Sequence, residues 1–144
     1  LMLRAMGTKL FAGGTDDNHN TLPQEHPEHH CGQAWINIRA EKLDYDTIFN
    51  ALKNGDFYSS DGPEIFDCYY DEEEKAVHIK CSPAQRIYVT SSSISATLAT
   101  HQKLGETITE AVISLANSRI ADFIRVTVED TTRHLAHTNA IWID

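Results

Sequence analysis

The chain opens with alternating apolar and polar stretches that predict a few short elements. Residues 1–6 are apolar-rich and precede Gly7, a pattern typical of the last turn of a helix closed by a glycine. Residues 9–13 predict a brief buried strand, and residues 34–39 alternate well enough to predict a second strand. Residues 57–63, with their serines, Asp, Gly and Pro, indicate a turn.

The most strongly specified element is a helix from Tyr45 to about Asn54. Asp44 is a suitable N-cap, because its carboxylate can accept hydrogen bonds from the first turn. Gly55 is suited to the left-handed residue that ends many helices. The apolar stripe that defines the period of 3.6 consists of Tyr45, Ile48, Phe49 and Leu52.

Beyond Pro63 the period of the apolar positions changes from 3.6 to 2. An acidic loop at residues 71–75 is placed to join two strands as a hairpin. Residues 109–116 fit either a strand or a helix. The predicted strands cover residues 64–70, 76–81, 86–90, 123–129 and 140–143. Short strands at this spacing indicate an antiparallel sandwich, which divides the chain into residues 1–62 and residues 63–144.

Composition and charge narrow the range of partners. Of the 144 residues, 41% are hydrophobic and 23% are charged, and no apolar run approaches the roughly 20 residues of a membrane helix. The formal net charge of -9 argues against nucleic-acid binding through a basic patch. Three widely spaced cysteines, Cys31, Cys68 and Cys81, do not form a disulfide framework, so we expect reduced thiols and a cytoplasmic protein.

Asp17-Asn18-His19 is the segment most suggestive of chemistry. On an extended backbone, side chains two positions apart point the same way, so the Asp17 carboxylate and the His19 imidazole would converge. Both groups are ligands of divalent metals, and they follow directly on a predicted strand. The competing interpretation is a Gly/Asp/Asn turn that happens to contain a histidine.

A second group of metal-binding residue types comprises His26, His29, His30 and Cys31. The loop contains two prolines and no Cys-x-x-Cys pair, so a surface loop is the simpler interpretation. A structural zinc site, substrate contact or adventitious metal binding stays open.

Several segments together resemble the carboxy-terminal half of the PHP-domain metal-dependent phosphoesterases. These are residues 15–19 with Asp17-Asn18-His19, Ala34-Trp35, residues 48–63 with Phe57-Tyr58-Ser59-Ser60-Asp61-Gly62-Pro63, and residues 124–130. In that family a final Asp-x-His motif supplies metal ligands from the end of a distorted barrel, and a Gly-Pro segment leads to an appended β domain. The resemblance implies that Asp17 and His19 are metal ligands. The family's early His-x-His motif has no counterpart in these 144 residues.

The resemblance further implies two or three divalent ions, Mn, Zn or Fe, and a small phosphorylated substrate hydrolysed by a metal-activated water. Two ligands alone hold metal poorly, so this chain is expected to be the inactive carboxy-terminal portion of such an enzyme. The expected fold is α+β and mainly β: the last strand and helix of a PHP (β/α) barrel, then an immunoglobulin-like β-sandwich. The alternative is a non-catalytic binding or interaction module. The sequence does not specify the oligomeric state.

Overall fold

The computed structural model of the chain describes residues 9–19, 22–23, 25–26, 31–91, 97–102, 105–118, 120 and 122–143. Within these residues the fold is α+β and mainly β, with one helix and two antiparallel sheets, which confirms the predicted class. None of the helical residues described forms a segment long and apolar enough to cross a membrane. The predicted helix end at residues 1–7 lies outside the described residues.

Ten strands and one helix follow one another in the described chain. The helix α1 covers Tyr45–Asn54. The strands are β1 (Trp35–Ile38), β2 (Phe57–Ser60), β3 (Ile65–Asp71), β4 (Ala76–Ala84), β5 (Arg86–Ser91), β6 (Thr97–Gln102), β7 (Ile108–Ser114), β8 (Phe123–Glu129), β9 (Leu135–Thr138) and β10 (Ile141–Trp142).

The strands form a seven-stranded sheet and a three-stranded sheet. In the large sheet the order is β1-β2-β9-β8-β5-β6, with β10 also paired to β8, and in the small sheet it is β3-β4-β7. The chain passes from the large to the small sheet between β2 and β3, where the predicted boundary falls. Strands from both sides of that point share the large sheet, since β2 pairs with β9. The division into two domains stays a prediction.

One hydrophobic core cluster contains buried residues from both sheets. On β4 the buried Val77, Ile79 and Cys81 alternate with more exposed residues, as a strand with one covered face requires. On β8 the matching residues are Ile124, Val126 and Val128. The remaining buried members of the same cluster are Ala84, Ile87, Val89, Ile108, Ala111, Ile113, Leu115 and Ala136. On β4 the period-2 pattern of the sequence therefore corresponds to burial of one face, whereas β8 also buries Phe123 and Thr127.

The helix α1 has the predicted caps. The Asp44 carboxylate accepts the backbone N–H of Thr47 at 3.0 Å, and this bond, followed by the hydrogen bond from Lys42, lowers the pKa of Asp44. Gly55 adopts φ 80° and donates its N–H to Leu52 at 3.3 Å. The prediction of a helix from Tyr45 to Asn54 is confirmed at both ends.

The apolar stripe of α1 is largely turned to solvent. Tyr45 is 79% exposed, Phe49 52% and the preceding Leu43 94%, while Ala51 is the buried residue of the helix. The Tyr45 and Phe49 rings stack on each other at 5.9 Å. A shallow apolar pocket of about 370 Å³ lies along this stripe, between Leu43 and Leu52.

Two local predictions are wrong. Residues 9–13 form no strand, and Leu10 and Phe11 are exposed, because side chains rather than a neighbouring strand bind this backbone. Residues 57–60 form β2 rather than a turn, because pairing with β1 and β9 outweighs the turn preference of the two serines.

The remaining strand predictions agree with the structure, with two additions. The hairpin around residues 71–75 is confirmed by the antiparallel pairing of β3 with β4. The ambiguous segment at residues 109–116 is largely strand β7. The strands β6 and β9 were not predicted, because each is short, polar in part and carries no clear alternation.

Candidate functional site

The segment that precedes Asp17 is fixed on the large sheet by the side chain of Asn139. The amide oxygen of Asn139 accepts the backbone N–H of Ala12 at 3.0 Å. Its amide nitrogen donates to the carbonyls of Gly55 at 3.1 Å and Phe57 at 2.9 Å. One buried amide therefore joins the end of α1, the start of β2 and the segment that leads to Asp17.

Close backbone packing continues along this segment. The Ser59 hydroxyl donates to the carbonyl of Ala12 at 2.9 Å. A Cβ atom on Gly14 would lie 3.2 Å from Ser59 Cβ and 3.3 Å from the carbonyl oxygen of Trp35. Glycine therefore permits the chain to pass tightly over β1 and β2 immediately before the Asp-x-His motif.

Asp16 fixes the backbone of residues 32–34. Its carboxylate accepts the backbone N–H groups of Gly32 at 2.8 Å and of Gln33 and Ala34 at 2.7 Å each. These three groups lie directly before β1. Asp16 therefore has a structural role, and Asp17 is the acidic residue of the pair with an accessible side chain.

Asp17 and His19 lie next to each other at the surface. Their side chains are 93% and 79% exposed, and His19 Nδ1 lies 3.9 Å from Asp17 Oδ1. The backbone at Asp17 is left-handed, with φ 51°, so the premise of an extended backbone is wrong. The two groups meet because the backbone departs from the extended form at Asp17, and His19 Nδ1 lies 2.7 Å from the carbonyl oxygen of Asp17. If Nδ1 donates this bond, Nε2 is the nitrogen that can bind a metal.

The histidine-rich loop is described only in part. His29 and His30 lie outside the described residues. Cys31 is an exposed free thiol, and Asn18 Nδ2 contacts its sulfur at 2.8 Å, which brings the loop next to the motif. In the described part of the chain, neither His26 nor Cys31 joins Asp17 and His19 in a three-donor group within 4.8 Å.

The polar residues of β2 and of the segment that follows it have structural partners. The Tyr58 hydroxyl accepts the N–H of Ile65 at 3.1 Å, and Ser60 Oγ donates to the carbonyl of Pro63 at 2.6 Å. Asp61 accepts the N–H of Leu135. The structure thus uses these groups to fix the crossing between the sheets.

A polar row crosses the outer face of the large sheet. His137 Nδ1 lies 2.9 Å from Thr127 Oγ1. Burial lowers the pKa of His137, the positive charge of Arg125 lowers it further, and Asp61 acts in the opposite direction. The Nε atom of Arg125 is buried and lacks a hydrogen-bond partner among the described residues. On the neighbouring strand β5, Arg86 forms an ion pair with Glu129 of β8.

A cleft of about 540 Å³ opens between β1, β2 and β3. Its lining includes Asn37, Tyr58, Cys68 and Ile141. Burial raises the pKa of the Tyr58 hydroxyl, and burial, with smaller effects of Asp67 and Cys81, raises the pKa of the Cys68 thiol to about 12. Both groups are therefore neutral at physiological pH, and Cys68 is not an activated nucleophile.

Comparison of the chain with protein-family models, with curated proteins and with solved structures finds no match. The assignment of the site therefore rests on the residues and their geometry. Sequence reasoning predicted Asp17 and His19 as the candidate site, and it missed Asn139, whose importance comes from contacts with residues far away in sequence.

Proposed function

We propose that this chain is the carboxy-terminal portion of a PHP-type metal-dependent phosphoesterase, and that Asp17 and His19 are two of its metal ligands. In this proposal residues 1–62 belong to the (β/α) barrel of the enzyme, and residues 63–144 form an immunoglobulin-like β-sandwich. The enzyme is cytoplasmic, and its substrate is a small phosphorylated molecule. The observation that carries the proposal is the adjacent, solvent-accessible pair of a carboxylate and an imidazole.

The geometry of His19 supports a ligand role. Metal-bound histidines commonly donate their second ring N–H to a carbonyl or carboxylate, which fixes the ring orientation. In this chain the carbonyl of Asp17 is such an acceptor, 2.7 Å from His19 Nδ1. The segment before the pair is itself fixed by Asn139 and Gly14, so the pair has a defined position on the fold.

The exposed stripe of α1 supports the idea of a larger barrel. A helix normally buries its apolar face, yet Leu43, Tyr45 and Phe49 are exposed. A stripe of this kind is expected where further elements of a barrel pack on the helix.

Asp17 and His19 would hold a metal cation in place, and further ligands would complete the site. A catalytic zinc site usually has three protein ligands, and a site with several metals needs more. The Asp17 carboxylate would bind a cation, and neutral His19 would bind through Nε2. A divalent ion of the Mn, Zn or Fe type, when bound, lowers the pKa of a bound water and polarises phosphoryl oxygens.

A non-catalytic module is the second candidate. The cleft between β1, β2 and β3 favours it, because Asn37 lines this cleft and its Nδ2 atom is buried without a hydrogen-bond partner in the described part of the chain. A small ligand with an accessible carbonyl or carboxylate would provide that partner.

The test is phosphatase activity of the complete gene product on p-nitrophenyl phosphate with Mn²⁺. We expect Asp17→Asn and His19→Gln each to lower kcat/KM by about 100-fold or more, because each removes a metal donor. Asp46→Asn is a matched control, since it removes an exposed carboxylate in the first turn of α1. The present chain alone should show no turnover.

Two results would contradict the proposal. One is a complete gene product without metal-dependent phosphatase activity. The other is an active protein in which Asp17→Asn and His19→Gln retain the activity of the Asp46→Asn control. Either result would leave the binding module as the better description of the fold.

A further inference from the structure

A group of metal-binding side chains that is separate from Asp17, His19 and the histidine-rich loop lies at the tip of the β3–β4 hairpin. Asp71 ends β3, Glu74 lies in the turn, and His78 lies on β4. One donor atom from each of the three residues lies within 4.8 Å of the others. We propose that Asp71, Glu74 and His78 bind a divalent transition-metal ion of the zinc class. This proposal does not depend on the proposed phosphoesterase function.

The hairpin itself brings the three side chains together. Antiparallel pairing places Asp71 opposite Ala76 and Tyr69 opposite His78. The Asp71 carboxylate accepts the N–H of Glu74 at 2.9 Å, which folds the turn back toward β4. His78 Nε2 then lies 2.9 Å from Glu74 Oε2. Residues seven positions apart in sequence thus present their donors to one point in space.

The ring of His78 is held in place before any ion binds. It stacks on the ring of Tyr69 with a centroid distance of 4.8 Å and an interplanar angle of 1°. On its other side β4 pairs with β7, where Val112 is the cross-strand neighbour. The His78 side chain is 23% exposed, so the ring is partly covered and still reachable. A ligand fixed in this way loses little side-chain entropy on binding.

The distances suit an ion after a small adjustment. Zinc bonds of about 2.0–2.2 Å in a tetrahedron place neighbouring donors about 3.4 Å apart. The contact between His78 and Glu74 must open slightly, and the widest separation, which is at most 4.8 Å, must close by no more than about 1.4 Å. Glu74 can move away from His78, because its side chain is 59% exposed.

The donor set indicates the class of ion. An imidazole with two carboxylates suits Zn, Fe, Mn or Ni, whereas Ca²⁺ takes six to eight oxygen ligands and Cu(I) prefers sulfur. Residues 71–75 contain four acidic residues and one lysine, so the local field attracts cations. Three protein donors leave a fourth position for water, as in the metal sites that do chemistry.

The experiment measures Zn²⁺ binding by calorimetry and Co²⁺ binding by visible absorption, using this chain. We expect one site in the wild type. His78→Gln and Asp71→Asn should each weaken binding by about tenfold or more and remove the Co²⁺ bands. Glu73→Gln is the matched control, because it makes the same change of charge in the same turn outside the three donors. It should bind as the wild type does.

Several results would overturn the hairpin site. Equal losses in Glu73→Gln and Asp71→Asn would mean diffuse attraction of cations by the acidic loop. Unchanged binding in His78→Gln would exclude the imidazole as a ligand. If His78→Gln alters the far-ultraviolet dichroism, Glu74→Gln replaces it, because Glu74 is exposed.

A His19→Ala variant separates this inference from the proposed function. Binding lost only in His19→Ala would overturn the hairpin site and support the motif at Asp17. Binding retained in His19→Ala and lost in His78→Gln would establish the hairpin site, whatever the phosphatase assay of the complete gene product shows.

Discussion

Replacing Asn139 with alanine should be among the most damaging polar substitutions in the chain. The Asn139 side chain is 8% exposed and makes three hydrogen bonds, with Ala12, Gly55 and Phe57. Asn139→Ala removes all three and leaves one backbone N–H and two carbonyls unpaired in a largely covered position. At about 1 kcal/mol for each bond, the free energy of unfolding should fall by about 2–4 kcal/mol.

Urea unfolding followed by tryptophan fluorescence measures this loss. With an m-value of about 2 kcal/mol/M, the midpoint should move down by about 1–2 M at unchanged slope. Asn139→Asp provides a sharper comparison, because the carboxylate can still accept from Ala12 but would face the carbonyls of Gly55 and Phe57 without a proton to donate. It should therefore destabilise the protein at least as much as alanine does.

The matched control is Asn54→Ala, at the exposed last residue of α1. This change should stay within about 0.5 kcal/mol of the wild type. If Asn139→Ala moved the urea midpoint no further than Asn54→Ala, the three bonds would contribute nothing net, and Asn139 could not be the group that fixes the segment before Asp17.

Three further predictions concern charge, backbone and thiols. Folding lowers the pKa of His137 below 6.5, so as the pH falls the unfolded chain binds a proton before the folded chain does. The free energy of unfolding should therefore decline below about pH 6.5. Urea titration at each pH should show a less steep decline in His137→Gln. In the same assay Gly55→Ala should destabilise the protein more than Gly32→Ala does. Both glycines have φ 80°, but a Cβ at Gly55 would lie 2.3 Å from the Phe11 ring, while a Cβ at Gly32 would face open space. A thiol reagent at pH 8 should modify Cys31 alone in the native chain and three thiols in denaturant, since burial raises the pKa of both core thiols; early reaction of a second thiol would contradict this.

The elements that the sequence predicted are those specified by neighbouring residues. The helix at Tyr45–Asn54 carries its own caps, and β8 alternates without interruption over residues 124–129. Such signals depend on neighbouring residues alone, which is why the bounds of both elements were predicted accurately.

The elements that were missed depend on distant partners. The serines of β2 favour a turn locally, and this segment becomes a strand because β1 and β9 pair with it. The sequence of residues 9–13 is typical of a strand, yet the side chains of Asn139 and Ser59, and not a neighbouring strand, bind their backbone. Asp17 and His19 were predicted as neighbours for a reason that was wrong, since the left-handed conformation of Asp17 rather than an extended backbone brings them together.

The pairing of β2 with β9 has a consequence for synthesis of the protein. Ser60 pairs with Ala136, a partner that the ribosome adds 76 residues later. At about 5–20 residues per second, β2 waits roughly 4–15 s with one edge unpaired after β1 has joined it. During that interval the edge is open to pairing with other chains. The large sheet is completed only when its last strands are synthesised. Pairing between strands far apart in sequence is slow, so the pairing of β2 with β9 should be the folding step most dependent on chaperones.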